Sequence, residues 1–185
     1  MRKTMHRMTV ARQKDLRGKV KFVAHADGRF EFGARSLRCA LGRAGVKAAR
    51  HKREGDGASP AGAWPIRKVL YRPDVGAPKT ALPLEPIGRD QGWSDDPDDP
   101  AYNTRVTLPY RGSFEKLWRD DHIYDLVVVL GHNDDPPKAR MGSCIFLHLA
   151  REDYSPTQGC VALSRPDLEA VLAEARPGDI LEIVE

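Results

Sequence analysis

The sequence IFLHLAREDYSPTQGCVAL, residues 145–163, joins two apolar runs through a polar segment that contains a Pro and a Gly. Side chains alternate between the two faces of an extended chain, so Cys144 and His148 share one face of the first run. Cys160 directly follows Gly159, where the polar segment enters the second run. The stretch therefore predicts two strands, one carrying an imidazole and the other a thiol.

Similar short runs recur along the chain between Gly, Pro and Asp residues, which favours a mainly β fold. These runs are KVKFVAHA, RFEFGA, GAWPIRKVLYR, TRVTLPY, YDLVVVLGH, CIFLHLA, GCVALS and DILEIVE. Asp27-Gly28 is a two-residue hairpin signal between the first two of them. Crossover helices between the strands are missing, which favours a β-sandwich or barrel-like fold over a parallel α/β fold.

Two segments carry helix signals. In SRPDLEAVLAEARPGD, Ser164 is a predicted N-cap, Asp167 completes a capping box, and Pro177-Gly178 ends the helix. SFEKLW, which begins at Ser113, predicts a shorter helix or a single turn. The expected fold is thus mainly β with a few short helices.

The 185 residues suit one domain with a tail. Residues 1–19 are basic, with apolar residues at neither helical nor strand spacing, and predict a solvated arm before a domain at 20–185. The net charge of +4 is modest and does not favour a nucleic-acid partner. The basic stretch 35–53 most simply presents a charged face.

The chain lacks two other signals. No apolar run approaches the roughly 20 residues that span a bilayer, and the basic N-terminus is not followed by the apolar stretch of a Sec signal. The three cysteines are an odd number without CxxC spacing, which argues against a disulfide framework or a zinc knuckle. The sequence makes no prediction of oligomeric state.

Cys160 and His148 have three interpretations: a thiol nucleophile with its base, part of a metal site, or two unrelated core residues. A free thiol has a pKa of about 8.5, so nucleophilic chemistry requires a neighbouring base, for which His148 is the best candidate. Gly159 permits close backbone approach by a substrate carbonyl. A metal site would add His132 or Cys144, but no regular ligand spacing supports it, and we expect no metal and no cofactor.

Four other features have simpler interpretations. We expect Cys144 and Cys39 to be core residues. His132, in GHNDDPP, is either a substrate contact, an alternative base or a loop residue bonded to its own turn. The acidic cluster 95–99 predicts a solvated turn. Ser143 and Asp56 are expected to shape the site, without a role that the residues alone define.

HLAREDYSPTQGCVAL resembles the active-site signature of the L,D-transpeptidase (YkuD-type) catalytic domain, in which a His precedes a Ser/Thr-x-Gly-Cys segment. His148, Thr157, Gly159 and Cys160 occupy the matching positions. KREGDGASPAGAWPIRKVLYR is similar to the lead-in of these domains, a Gly-Asp-Gly-x-Ser/Thr-Pro-x-Gly run that enters a strand. GWSDDPDDPAYN, LWRDDHIYDLVVVLGHN and GSCIFLHL look like a branch of the family, and the resemblance keeps motif order over residues 20–185.

The resemblance implies a cysteine acyltransferase of the bacterial cell wall. Its Cys attacks the peptide bond after the L-centre of the third residue of a peptidoglycan stem peptide, and an amine from a second stem resolves the thioester into a cross-link. The implied catalytic residues are Cys160, His148 as base, and Gly159 beside the oxyanion-binding N–H groups. The implied substrate-binding residues are Thr157, Gln158, Ser143 and His132.

The chain also departs from the common family pattern. Gln158 stands where a second His is usual, Ala162 stands where Arg or Asn is usual, and the interval from His148 to Cys160 is short. The nucleophile and base are retained, and the acceptor is left open. An L,D-carboxypeptidase or endopeptidase with the same dyad, and a non-catalytic wall-binding module, are the alternatives.

The resemblance implies the cell envelope or periplasm as the location. The missing Sec signal leaves three explanations: export by another route, an incomplete start, or a cytoplasmic substrate.

Overall fold

A computed structural model describes residues 20–185; the predicted basic arm, 1–19, lies outside the described residues. The elements are β1 (Val20–His25), β2 (Arg29–Phe32), β3 (Arg35–Arg38), β4 (Val46–Ala48), a 3₁₀ turn (Ala49–His51), β5 (Ser59–Tyr71), β6 (Leu84–Pro86), β7 (Gln91–Ser94), β8 (Arg105–Thr107), β9 (Phe114–Lys116), β10 (Leu126–Leu130), β11 (Phe146–Leu149), β12 (Val161–Leu163), α1 (Arg165–Glu174) and β13 (Ile180–Val184). The prediction of a mainly β fold is confirmed, and each of the eight predicted runs contains a strand.

The described residues, 20–185, form two sheets. The larger has ten strands in the order β12-β11-β10-β5-β13-β1-β2-β3, with β4 and β6 also pairing with β5. The smaller has three strands in the order β8-β7-β9. The sheets are barrel-like in arrangement, which confirms the predicted sandwich or barrel-like class. Within residues 20–185, no helix has the length and hydropathy needed to cross a bilayer.

The predicted hairpin joins β1 and β2. Phe22 pairs with Phe32 and Ala24 with Phe30, so the alternating apolar residues meet across the two strands. Gly28 takes a φ of 85° at the turn, a conformation that glycine adopts without a Cβ penalty. The hairpin prediction is therefore confirmed.

The central strands β10 and β11 are buried on both faces. Val128 and Leu147 pack into one core with β1, β2 and α1. Val127 and Phe146 pack into a second core, which Trp93 of the small sheet helps to cover. The small sheet therefore lies against the face of β11 that carries Phe146.

Helix α1 begins after Ser164, as the sequence predicts, and ends at Glu174, three residues before the predicted stop at Pro177-Gly178. The Ser164 Oγ accepts a hydrogen bond from the Asp167 backbone N–H at 3.3 Å, which satisfies one N–H of the first turn. Leu168, Val171 and Leu172 are almost fully buried, and burying each side chain contributes about 1.5–3 kcal/mol.

The helix predicted for SFEKLW is wrong. Residues Phe114–Lys116 form β9, in which Ser94 pairs with Phe114 and Gly92 with Lys116. A segment this short is a marginal helix by itself, and pairing with β7 satisfies its backbone groups instead. This difference matters for the site, because the strand rather than the predicted helix determines the direction of the Glu115 side chain.

Candidate functional site

The site is built on two parallel neighbours, β11 and β12. His148 pairs with Ala162 and Leu147 with Val161, so Cys160 lies one step before β12 beside the same face of β11 as His148. Phe146 and Cys144 pack with Cys160 in the second core, whereas Ile145 and Leu147 pack in the first. The predicted alternation of faces is confirmed.

Cys160 and His148 line one groove of about 600 Å³. Thr157 and Gln158 form part of its wall beside the thiol, and Ser143 also lines it. The structure thus brings together five of the seven residues predicted for the site: Cys160, His148, Thr157, Gln158 and Ser143. Their catalytic and binding roles stay predictions.

The Cys160 thiol is almost fully buried and uncharged. Its S–H donates to the carbonyl oxygen of Cys144 at 3.0 Å, and the N–H of Phe146 donates to Sγ at 3.4 Å. Burial, together with the nearby charge of Glu115, raises the pKa of Cys160 to about 12. The thiol is therefore protonated at pH 7 in this state.

The His148 imidazole is held as a neutral base. Its Nδ1 lies 2.9 Å from the carbonyl oxygen of Leu149, and because a carbonyl only accepts, Nδ1 carries the hydrogen. Burial lowers the pKa of His148 to about 4, so the ring is neutral at pH 7. The unprotonated Nε2 is left to accept a proton, and the backbone contact fixes this tautomer.

The turn before Cys160 is closed by Thr157. Its hydroxyl donates to the carbonyl oxygen of Cys160 at 2.7 Å and accepts from the N–H of Gly159 at 3.1 Å. The Gly159 N–H, near which oxyanion binding is predicted, is thus engaged inside the turn in this state. In the structure, Gly159 has a conformational role.

Gly159 has a φ of 138°, and a Cβ built on it would lie 2.8 Å from the carbonyl oxygen of Ala58. We expect Gly159→Ala to cost about 1–3 kcal/mol in the free energy of unfolding and to displace the thiol. Chemical denaturation and thiol labelling measure the two effects. Gly33→Ala is the matched control, because Gly33 also has a positive φ but no atom within 4 Å of the added Cβ. Equal losses in both variants would contradict the predicted backbone clash.

A buried ion pair supports the groove from the Gly-Asp-Gly segment. The Lys52 side chain, which is 3% exposed, donates to Asp56 at 2.5 Å, and Lys47 donates to the same carboxylate at 3.0 Å. The N–H groups of Arg53 and Ala58 donate to it as well. Asp56, for which the sequence defined no role, therefore stabilises this loop by accepting hydrogen bonds from two side chains and two backbone N–H groups.

We expect Asp56→Asn to destabilise the fold by about 3 kcal/mol, because it leaves Lys52 buried without its counter-ion. Burial opposes ionisation of Asp56, but the hydrogen bonds from Lys52 and the backbone outweigh it and hold its pKa well below the usual range. A lowered folded-state pKa means that this stabilisation is complete above about pH 4 and is lost as pH falls further. Urea unfolding of variant and wild type should therefore converge in acid.

The control for that prediction is Asp134→Asn. Asp134 pairs with Arg67, whose side chain is 45% exposed, so we expect a loss below about 1 kcal/mol. A difference between Asp56→Asn and wild type that persists at the most acidic pH would show that the charge pair is not its cause.

Cys144 and Cys39 are buried, as predicted, but their surroundings differ. Cys39 lies in the first core. Cys144 lies in the second core and also lines the groove, and burial raises the pKa of its thiol well above the usual value. Its N–H donates to the side-chain oxygen of Asn103 at 3.1 Å, while the hydroxyl of Ser143 donates to Glu54 at 2.7 Å.

His132 does not line the groove. It is 5% exposed, its Nε2 lies 3.2 Å from the carbonyl oxygen of Met141, and its ring stands edge-on to Trp64 at 4.7 Å. Burial lowers its pKa to about 4. The geometry favours the interpretation of His132 as a residue bonded within its own loop.

Two further residues of the groove, Glu115 and Tyr124, were not predicted from the sequence. Both line the groove, and the Tyr124 hydroxyl donates to Glu115 Oε1 at 2.7 Å. The Tyr124 ring stands edge-on to His148 at 5.1 Å. If FEK is read as a strand, alternation places Glu115 on the opposite face from Phe114 and Lys116. The segment is too short to show that two-residue period in the sequence.

Among residues 20–185, no three or more His, Cys, Asp and Glu side chains are grouped to hold a metal ion. What the strands bring together is instead a protonated thiol and a neutral imidazole that open onto one groove. This arrangement defines a class, a β-rich domain with a Cys/His pair suited to nucleophilic catalysis.

The chain belongs to the family of the L,D-transpeptidase catalytic domain, YkuD, whose model matches residues 15–183. Among solved structures, it is similar to L,D-transpeptidase 1 of Mycobacterium tuberculosis, with 17% sequence identity and a TM-score of 0.37. That match covers 89% of this chain and 60% of the other. No curated protein matches the chain.

Proposed function

We propose that this protein is a cysteine acyltransferase that cross-links peptidoglycan stem peptides by L,D-transpeptidation. The observation that carries the proposal is that Cys160 and His148 line one groove, while the contact of Nδ1 with the Leu149 carbonyl leaves the His148 Nε2 unprotonated. Family membership supports the peptidoglycan substrate class. Because peptidoglycan lies outside the cytoplasmic membrane, we propose the cell envelope as the site of action.

In the first half-reaction, Cys160 Sγ attacks the carbonyl carbon after the L-centre of the third stem residue. His148 Nε2 takes the thiol proton as the S–C bond forms. The resulting imidazolium gives that proton to the leaving amine when the C–N bond breaks, which releases the terminal residue and leaves a thioester. The N–H of Phe146, 3.4 Å from Sγ, favours the negative charge that develops on sulfur.

In the second half-reaction, an amine of another stem attacks the thioester carbonyl. The new amide bond forms, the C–S bond breaks, and sulfur regains a proton through His148. Water in place of the amine gives a carboxypeptidase or endopeptidase, so the identity of the second nucleophile separates transferase from hydrolase.

The test is the intact mass of the protein after incubation with a defined stem tetrapeptide, with and without an acceptor amine. Transpeptidation predicts an acyl-enzyme that forms with loss of the fourth residue and that the amine converts into a cross-linked product. Release of free tripeptide at the same rate in both samples would assign a hydrolase. Binding of the tetrapeptide without any acyl-enzyme would favour the non-catalytic wall-binding module.

A further inference from the structure

A carboxylate, that of Glu115, lines the same groove as the Cys160 thiol. Glu115 is the central residue of β9, where it pairs with Trp93 of β7. Its side chain is 30% exposed, so it is reachable from the groove that it lines. Glu115 lines the same groove as Cys160 and Cys144, and its negative charge raises the pKa of both thiols.

Tyr124 and Arg119 fix the Glu115 carboxylate. The Tyr124 hydroxyl donates to Oε1 at 2.7 Å, and Tyr124 is 2% exposed. An Arg119 guanidinium nitrogen lies 3.9 Å from Oε1, and the guanidinium stacks over the Tyr124 ring at 5.3 Å. Asp121 binds the same guanidinium at 2.9 and 2.7 Å. The carboxylate is therefore positioned, with part of its surface left open.

The second half-reaction needs a group that accepts a proton from the acceptor amine. An alkyl amine resembles the Lys side chain, whose pKa is about 10.4, and is therefore an ammonium ion without a lone pair at pH 7. In this half-reaction His148 carries the second proton of the amine from nitrogen to sulfur, so the first proton needs a separate acceptor. Burial raises the pKa of Glu115, against the opposing effects of Tyr124 and Arg119, which makes its carboxylate a stronger base than an ordinary one.

We propose that Glu115 is a catalytic residue of the second half-reaction: it binds the ammonium group of the acceptor amine beside the thioester and takes one proton from it. The inference rests on the proposed acyl transfer. The neutral amine then attacks the thioester carbon, the C–N bond forms and the C–S bond breaks. The second proton lost by nitrogen passes through His148 to sulfur, and protonated Glu115 releases its proton to solvent. Tyr124 is a positioning residue that acts through Glu115.

The test separates the two half-reactions. Wild type, Glu115→Gln, Tyr124→Phe and Glu169→Gln are acylated with the stem tetrapeptide. The decay of the acyl-enzyme mass is then followed across pH in water alone and with a stem peptide that carries a free side-chain amine. Glu169 lies on α1 with a 51% exposed side chain and is the matched control.

For Glu115→Gln we expect amine-dependent decay to slow by about 100-fold, the scale of a lost general base, with much less change in hydrolysis. The acidic limb caused by protonation of Glu115 should disappear, which leaves only the fall toward about pH 4 where His148 is protonated. The titratable groups around the carboxylate are Tyr124, Arg119, Asp95 and Cys144, and Cys160 lines the same groove. Since the Tyr124 hydrogen bond favours the ionised carboxylate, Tyr124→Phe should move the limb to higher pH, and Glu169→Gln should match wild type.

Three results would overturn the inference. Equal slowing of aminolysis and hydrolysis in Glu115→Gln, with the wild-type pH profile kept, would make Glu115 a structural residue. A wild-type acyl-enzyme whose decay the amine does not accelerate would reject the role of Glu115 and leave the acylation proposal standing. Absence of any wild-type acyl-enzyme would reject the proposed function and this inference together. If Glu115→Gln does not fold, Tyr124→Phe, which removes only a hydroxyl, decides the question by its pH profile.

Discussion

Replacing Cys160 with Ala is expected to abolish acyl-enzyme formation completely, both with a stem tetrapeptide and with a reactive β-lactam. Without Sγ, residue 160 has no atom that can form a thioester, so no acyl group becomes attached to the protein. The measurement is the intact mass of the protein after incubation, where wild type gains the acyl mass and the variant does not.

Two cysteine controls make that result specific. Cys144→Ala should still form the thioester, although Cys144 lines the same groove. Cys39→Ala should behave as wild type, since Cys39 packs in the other core. Equal labelling of Cys160→Ala and Cys144→Ala would show that Cys160 is not the nucleophile.

Replacing His148 with Asn is expected to slow acylation by about 1,000-fold at pH 7, within the range of a lost general base. Asn retains a donor for the Leu149 carbonyl, which Nδ1 contacts at 2.9 Å, but it lacks the basic Nε2. In wild type, acylation should fall as pH drops toward about 4, where the imidazole becomes protonated. The rate of mass gain under single-turnover conditions measures both effects.

The stability of the same variant is a check on its fold. Burial lowers the pKa of His148 from 6.5 to about 4, so the unfolded chain binds more protons than the folded one between these values. Stability therefore falls as pH drops from 6.5 to 4. The Asn variant should lose less stability than wild type over that interval. If the folded Asn variant is acylated at a rate close to that of wild type, another group is the base.

Local patterns in the sequence predicted much of the fold correctly. Alternation placed His148 and Phe146 on one face of β11, the Asp27-Gly28 pair marked the first hairpin, and Ser164 marked the start of α1. These features succeed because each depends on backbone geometry and neighbours a few residues apart. The resemblance in motif order supplied the family, which the match over residues 15–183 confirms.

Long-range pairing decided what those patterns did not contain. SFEKLW has few residues and no clear period, so the pairing of β9 with β7, not local preference, determines its conformation. That pairing brings Glu115 to Tyr124, nine residues away, and to the groove of Cys160. Lys52 contacts Asp56 and lies next to Gly142, and Asp56 accepts a hydrogen bond from the Ala58 N–H. These contacts likewise depend on which loops folding brings together.

The sequence by itself determined a mainly β chain, the strands that carry His148 and Cys160, and the family to which the chain belongs. Only the tertiary structure decided that His132 lies outside the groove, that the Gly159 N–H is engaged by Thr157, and that Glu115 lines the groove together with Cys160. The physical reason is that strand and helix signals arise from the spacing of neighbouring side chains, whereas burial, hydrogen-bond partners and pKa shifts arise from groups that folding brings together from distant parts of the chain.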